Sequence, residues 1–174
     1  IDGGSNDVCG IASLMASDTS FVCADVGMNN VTLFVVDSNG NTDSCTAVVT
    51  VSDSVPPMAV CQNVTVHLDA NGNANLAPAD VDGGSSDACG IASLMVSDTA
   101  FNCSDVGMNM VTLTVTDNNS NTSSCMATVT VEDSIPPIAV CQNITVQLDS
   151  IGNVSITGND VDGGSTDATV GTIE

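Results

Sequence analysis

The residues with the most chemical reach in this chain are aspartates and cysteines. The stretch DVDGGSSD spaces Asp80, Asp82 and Asp87 as D-x-D-G-x-x-x-D. Carboxylates alternating about a glycine turn are how calcium loops present oxygen ligands, although the glutamate that closes an EF-hand is missing. Asp also caps turns by accepting from its own backbone, which needs no ion. Both readings are open at this level. As a glycosidase pair, Asp80 and Asp82 lack a cation or an aromatic ring to tune a pKa or hold a sugar. His67 is the only histidine, and it falls at an outward strand position, so no Ser-His-Asp set is expected. The chain reads as a non-enzyme with no required cofactor.

Charge narrows the partners. There are 21 Asp and Glu against no Lys or Arg, a net charge of −21. A chain without cations cannot neutralise phosphate, so nucleic acid is excluded. Anionic membrane surfaces are disfavoured for the same reason. The charge suits divalent cations and keeps a long polymer soluble by self-repulsion. No run of 18 apolar residues exists, so no membrane-spanning helix is expected. Apolar residues make up 43% of the chain, too many for a disordered one. They are mostly small, and cores of small side chains usually need covalent staples. Eight cysteines fit that need and imply an oxidising, extracellular setting.

These residues recur with a fixed period. Residues 2–63 align without gaps to 82–143, with 45 of 62 positions identical, which sets the period at 80. The cysteines obey it as Cys9/Cys89, Cys23/Cys103, Cys45/Cys125 and Cys61/Cys141. The period is too long for a solenoid unit and suits a self-contained domain on a string. Pro56-Pro57 and Pro136-Pro137 cannot donate to a sheet and mark extended links. The expected organisation is the C-terminal part of one repeat at 1–54, a complete repeat at 55–134, and the N-terminal part of a third at 135–174. Within the complete repeat the apolar period is two. NMVTLTVTD points Val111, Leu113 and Val115 inward, and CMATVTVED does the same with Cys125, Ala127, Val129 and Val131. NNSN at 118–121 reads as a hairpin turn, as does SNGN at 38–41. Val64, Val66 and Leu68 share a face of a further strand, and GIASLMVS and TAFNCSD read as weaker strands. The fold class is all-β: tandem antiparallel β-sandwiches of immunoglobulin-like type.

The pattern PP-x-A-x-C, then a D-x-x-x-N turn, then C-x-A-x-V-x-V resembles the HYR repeat, an immunoglobulin-like module of extracellular and adhesion proteins. CQNVTV, DGGSSDACG and NMVTLTVTDNNSN look like tandem repeats of very large Bacteroidota surface proteins exported by the type IX route. The resemblance covers all but the last residues, where ATVGTIE (168–174) loses the counterpart of Cys89. It implies a structural segment of an extracellular filament, stalk or adhesin: a rigid, protease-resistant spacer on the cell surface. The alternative is an adhesive binding module for glycans or a partner surface.

Four cysteines per repeat allow three pairings. In such a fold the opening and closing strands lie side by side, so Cys61–Cys125 is expected, with Cys89–Cys103 and Cys9–Cys23 closing short loops. Cys45 and Cys141 would then pair with neighbouring segments. Shifting Cys141 back two periods lands on the slot that Cys45 needs, so the tail of one copy and the head of the next would complete one domain. Either the chain is a window of a longer array, or it is a subunit that polymerises head to tail with its own copies. At the domain junctions the calcium candidates are Asp53, Asp82, Asp87 and Asp117, then Asp133, Asp162 and Asp167. Such an ion would stiffen the array as in cadherin-like proteins. Asp-Ser/Thr before an apolar residue resembles a Bacteroidota O-glycosylation signal at Ser54, Thr99, Ser134 and Ser150, so covalent glycans are a further expectation.

Overall fold

A computed structural model describes residues 1–167, and strands dominate it. The divergent stretch 168–174 lies outside the described residues. The chain divides into two compact units. The first comprises Ile1–Pro57, Ser86–Ser93 and Thr116–Thr122. The second comprises Met58–Ser85, Leu94–Val115 and the chain from Ser123 onward.

In the first unit β1 (Ile11–Ala16), β2 (Gly27–Asp37) and β3 (Thr42–Val51) form an antiparallel sheet in the order β1-β2-β3. Val31, Leu33 and Val35 alternate along β2. Val31 and Leu33 are buried and Val35 is half-buried. The β2–β3 turn is held by Asp37, whose Oδ1 accepts from the backbone N–H of Asn39 and of Asn41 at 2.8 Å each. Gly40 takes φ +88° there, a left-handed value that glycine adopts without strain.

The following strands are β4 (Val64–His67), β5 (Asn73–Asn75), β6 (Ile91–Val96), β7 (Ala100–Asn102), β8 (Gly107–Asp117) and β9 (Thr122–Glu132). β6, β8 and β9 begin at Ile91, Gly107 and Thr122, each eighty residues after the starts of β1, β2 and β3 at Ile11, Gly27 and Thr42. They form a four-stranded sheet in the order β4-β9-β8-β6, and β5 pairs with β7 in a two-stranded one. Val111, Leu113, Val115, Ala127, Val129 and Val131 are at most 1% exposed. Leu68, Ala74, Leu76, Val81 and Phe101 complete that core.

One expectation is corrected. The four-stranded sheet is mixed, because β4 pairs parallel with β9, Val64 facing Val129 and His67 facing Glu132. A hairpin forces antiparallel pairing, whereas a parallel pair needs a long crossover. Residues 68–121 provide it, returning the chain so that β9 runs alongside β4 in the same direction. Asn63 fixes the entry to β4, its Oδ1 accepting from the Thr128 N–H at 2.8 Å.

Aspartates close the short helical turns as well. Cys23–Asp25, Pro78–Asp80 and Cys103–Asp105 are 3-10 turns, and Gly158–Val161 is a single α turn. In each, the Asp carboxylate reaches back to the N–H three residues earlier: Asp25 to Val22, Asp80 to Ala77, Asp105 to Asn102 and Asp160 to Thr157, at 2.7–2.8 Å. This is the returning half of a capping box, with Asp in place of Glu.

Candidate functional site

The DGGS motif is a clasp on the disulfide-bonded Cys61. Asp82 and Cys61 form a backbone bridge. Asp82 Oδ1 accepts from the Ser85 N–H at 2.9 Å, and the Ser85 Oγ accepts from the Val60 N–H at 3.0 Å. A side chain on Gly83 would stand 3.2 Å from the Cys61 backbone, and Gly84 takes φ +102°. Gly84 thus suits the clasp by its left-handed backbone and Gly83 by its close approach to Cys61. The Ser85 hydroxyl, then its N–H, hold the Asp82 carboxyl below the usual carboxylate range. Cys61 is bonded to Cys125 with Cα atoms 5.8 Å apart, tying the approach to β4 to β9.

The second disulfide corrects the expected short loops. Cys89 is bonded to Cys23 with Cα atoms 5.2 Å apart, and neither Cys89–Cys103 nor Cys9–Cys23 forms. The reason is strand length. Cys9 precedes β1, and the Gly10 carbonyl accepts from the Ser38 N–H at the far end of β2. Cys23 stands where β2 begins. Eleven residues of β2 at about 3.4 Å each lie between those two ends. A disulfide tolerates a Cα separation of only about 7 Å. β8 imposes the same separation on Cys89, beside Asn118 at its end, and Cys103, ahead of its start. Two disulfides therefore serve the chain as a whole, rather than two in each repeat. Cys9, Cys45 and Cys141 are exposed thiols, and the Cys103 thiol donates to the Gly72 carbonyl at 3.6 Å.

Around the Cys23–Cys89 bond the first unit gathers three acidic loops. The Asp87 carboxylate accepts from the Cys89 N–H at 2.7 Å, and Asp53 accepts from the Val55 N–H at 3.0 Å. Asn118 donates its side-chain amide to the Cys89 carbonyl at 2.7 Å. Asn121 donates to the Asp53 and Val55 carbonyls at 3.3 and 3.4 Å and to Asp117 Oδ2 at 2.7 Å. Gly90, at φ +97°, leaves room for Asn118, whose amide would lie 2.7 Å from a Cβ there. Asp117 is 1% exposed. Burial works against its charge, but the Asn121 side chain and the N–H groups of the turn outweigh it and keep the carboxyl below its ordinary range.

Of the calcium candidates, Asp53 and Asp87 come together. Ligand atoms of Asp53, Asp87 and Cys89 lie within 4.8 Å of one another, the one group of three found among the described residues. Calcium takes six to eight oxygens. Here the sulfur is locked in a disulfide, and the two carboxylates each accept one hydrogen bond from their own loop through Oδ1. Asp82 is occupied in its clasp and Asp117 in its turn. Asp133 accepts from the Ile135 N–H, Asp162 repeats the clasp on Ser165, and Asp167 ends the described residues. Two carboxylates together supply fewer than the six to eight oxygens that calcium takes.

Ser54, Thr99, Ser134 and Ser150 are all exposed, as an attachment point must be. His67 faces Glu132 at 3.7 Å with both side chains more than half exposed, a surface cross-strand pair. No helix of the described residues is long and apolar enough to cross a membrane. No protein-family model matches the chain, and no curated protein is significantly similar to it.

Proposed function

We propose that this chain is a mechanical, non-enzymatic segment of an extracellular filament, stalk or adhesin. In this reading it is a spacer of tandem immunoglobulin-like sandwiches with an 80-residue period, kin to HYR-type repeats of Bacteroidota surface proteins. The observation that carries it is the interlacing of the two disulfides. Cys23–Cys89 and Cys61–Cys125 overlap in sequence, and the first joins cysteines from consecutive occurrences of the repeat motif. Tension entering at Cys23 crosses to Cys89, runs back to Cys61 and leaves through Cys125. That path spans 89 − 61 = 28 residues in place of 125 − 23 = 102. Such a clamp resists extension whether or not the sheets hold.

Two further features support the reading. Aspartates and asparagines of the loops are used to bond their own backbone, and none stands beside a Lys or Arg or a Trp or Tyr ring, because the chain has none of these. Trypsin, which needs Lys or Arg, finds no site in this sequence. Disulfides place the protein in an oxidising, extracellular-type environment.

Single-molecule extension tests the proposal. At about 3.3–3.6 Å per residue, the oxidised chain should stop roughly 250 Å short of the reduced one. Equal contour lengths in the two states would overturn the force-bearing role.

A further inference from the structure

Every methionine lies outside the core. The chain has seven, and all are 59–84% exposed. Valine, leucine, alanine and phenylalanine fill the buried apolar positions, and methionine fills none of them among the described residues. Methionine is ordinarily among the residue types most often buried, and its flexible thioether serves as a core gap-filler. Valine and leucine occur both inside and outside, so the segregation belongs to the thioether and not to apolar side chains at large.

Position, rather than what flanks it, sets this exposure. Met15 and Met95 are one period apart and are 63% and 67% exposed; Met28 and Met108 are 84% and 82% exposed. Among the described residues β4 and β5 precede β6, whereas no strand precedes β1, yet the paired values agree. Strand alternation accounts for the rest. Val111, Leu113 and Val115 take the inner face of β8, which leaves Met108 and Met110 on the outer one. Ala127 and Val129 do the same on β9 and leave Met126 outside with Thr128. Thr128 Oγ1 donates to Met110 Sδ at 3.5 Å, so the two outward rows stand side by side. A thioether sulfur is a weak acceptor and its sulfoxide is a polar group, so a donor already stands beside the site of oxidation.

We propose that these methionines form a sacrificial, oxidant-consuming surface, with small hydroperoxides as the substrate class. The thioether sulfur gives a lone pair to one peroxide oxygen, and the O–O bond breaks. Sulfur keeps that oxygen as the sulfoxide and is oxidised by two electrons. The other oxygen takes up the proton and leaves as water, or as an alcohol from an organic hydroperoxide. Sulfoxide formation disrupts a core that contains methionine. Here it falls on outward side chains, so the chain takes up oxygen and stays folded. This activity is additional to the spacer reading and does not depend on it.

The test uses the full chain, its free thiols alkylated, in hydrogen peroxide. Mass spectrometry should show seven oxygens taken up, and fragmentation should place them on the methionines. Uptake should be as fast in the folded chain as in urea. The oxidised chain should still melt cooperatively, each oxygen lowering the midpoint by at most about 2 °C. Leu113→Met puts one thioether at a position 0% exposed by a volume-conserving change, and that sulfur alone should wait for urea before it oxidises. With limiting peroxide and an equimolar methionine reporter peptide, the reporter should receive about one oxygen in eight, since the chain brings seven sulfurs to its one. A chain with all seven methionines changed to leucine should leave the reporter to take all of it. Slower uptake in the folded chain, unfolding as oxygen is added, or a reporter share that the leucine chain does not change would overturn the proposal.

Discussion

Leu68 and Leu148 have the same chemistry, the same neighbours in sequence and opposite surroundings. Leu68 is 3% exposed at the end of β4, its N–H donating to Glu132 O, and Leu148 is 66% exposed in a segment with the same turns. The difference shows what each level of structure supplies. Turns are local: Asp69–Asn73 and Asp149–Asn153 form alike because each Asp needs only its own next few N–H groups. Burial is not local, and needs β6, β8 and β9 to be present. β2 and β3 tell the complementary story. Val31 and Leu33 are buried, but Val35, Ala47, Val49 and Val51 are only half-buried, whereas the whole of that face is sealed around β8 and β9.

The largest test of this contrast is a pair of identical substitutions. Leu68→Ala should cost about 2–5 kcal/mol, the range for a buried leucine truncated to leave a cavity. Leu148→Ala should stay within about 0.5 kcal/mol, as surface changes do. Urea unfolding of both variants checks it, and equal losses would mean that the exposed face is covered within the chain. Next comes the staple. Replacing Cys61 and Cys125 by Ser opens a loop of 64 residues. On the loop-entropy model that removes about 4 kcal/mol, seen as a lower denaturation midpoint. Cys23–Cys89 closes 66 residues, so the same model gives a nearly equal loss from a region with fewer buried residues. A much smaller loss there would show that the first unit's unfolded state is already restrained.

A smaller contrast separates the two hairpin turns. Asn41 donates its side-chain amide only to Asp37, whereas Asn121 bonds Asp117 and also the Asp53 and Val55 carbonyls. Asn121→Ala should therefore cost about 1 kcal/mol more than Asn41→Ala, one ordinary hydrogen bond's net contribution. Paired thermal melts would show it.

The turns at 38–41 and 118–121 and the faces of β8 and β9 were legible in the sequence. Both signals are short-range: an Asp or Asn with a residue able to take positive φ, and an apolar period of two. The partner of Cys89 was not legible from loop length. Pairing it correctly requires knowing that β6 and β8 place Cys89 and Cys103 at opposite strand ends, a property of topology rather than spacing. The parallel pairing of β4 with β9 was hidden for the same reason. The aspartates were ambiguous for a different reason. D-x-D-G-x-x-x-D suits an ion or a turn alike, and only the structure shows that Asp80, Asp82 and Asp87 each turn to a different backbone N–H.

Acid sharpens that last point. The carboxyls of Asp82, Asp162 and Asp69 are held below their ordinary values, the first two chiefly by serine hydroxyls and Asp69 by the N–H groups of its turn. A depressed folded pKa stabilises the protein above the unfolded value near 3.9, and that contribution is lost as pH falls through the folded value. Stability should be flat from neutral pH to about pH 5 and fall below about pH 4. Protonation also removes self-repulsion from a chain of net charge −21, which works in the opposite direction. Repeating the titration at high salt, where repulsion is screened, should leave the turn contribution alone and steepen the fall.

The smallest expected effect discriminates most cleanly between turn and ion. If Asp53 and Asp87 only hold their own loops, thermal melts with and without a calcium chelator should coincide. A bound ion adds stability in proportion to the logarithm of its concentration over its dissociation constant. Even a site only 100-fold saturated would contribute about 2.7 kcal/mol, well above the precision of a melt. A midpoint that rises with added calcium would restore the metal reading at the Asp53–Asp87 loops. A constant midpoint leaves the Asn121 and Asn118 amides and the Cys23–Cys89 bond as what holds them.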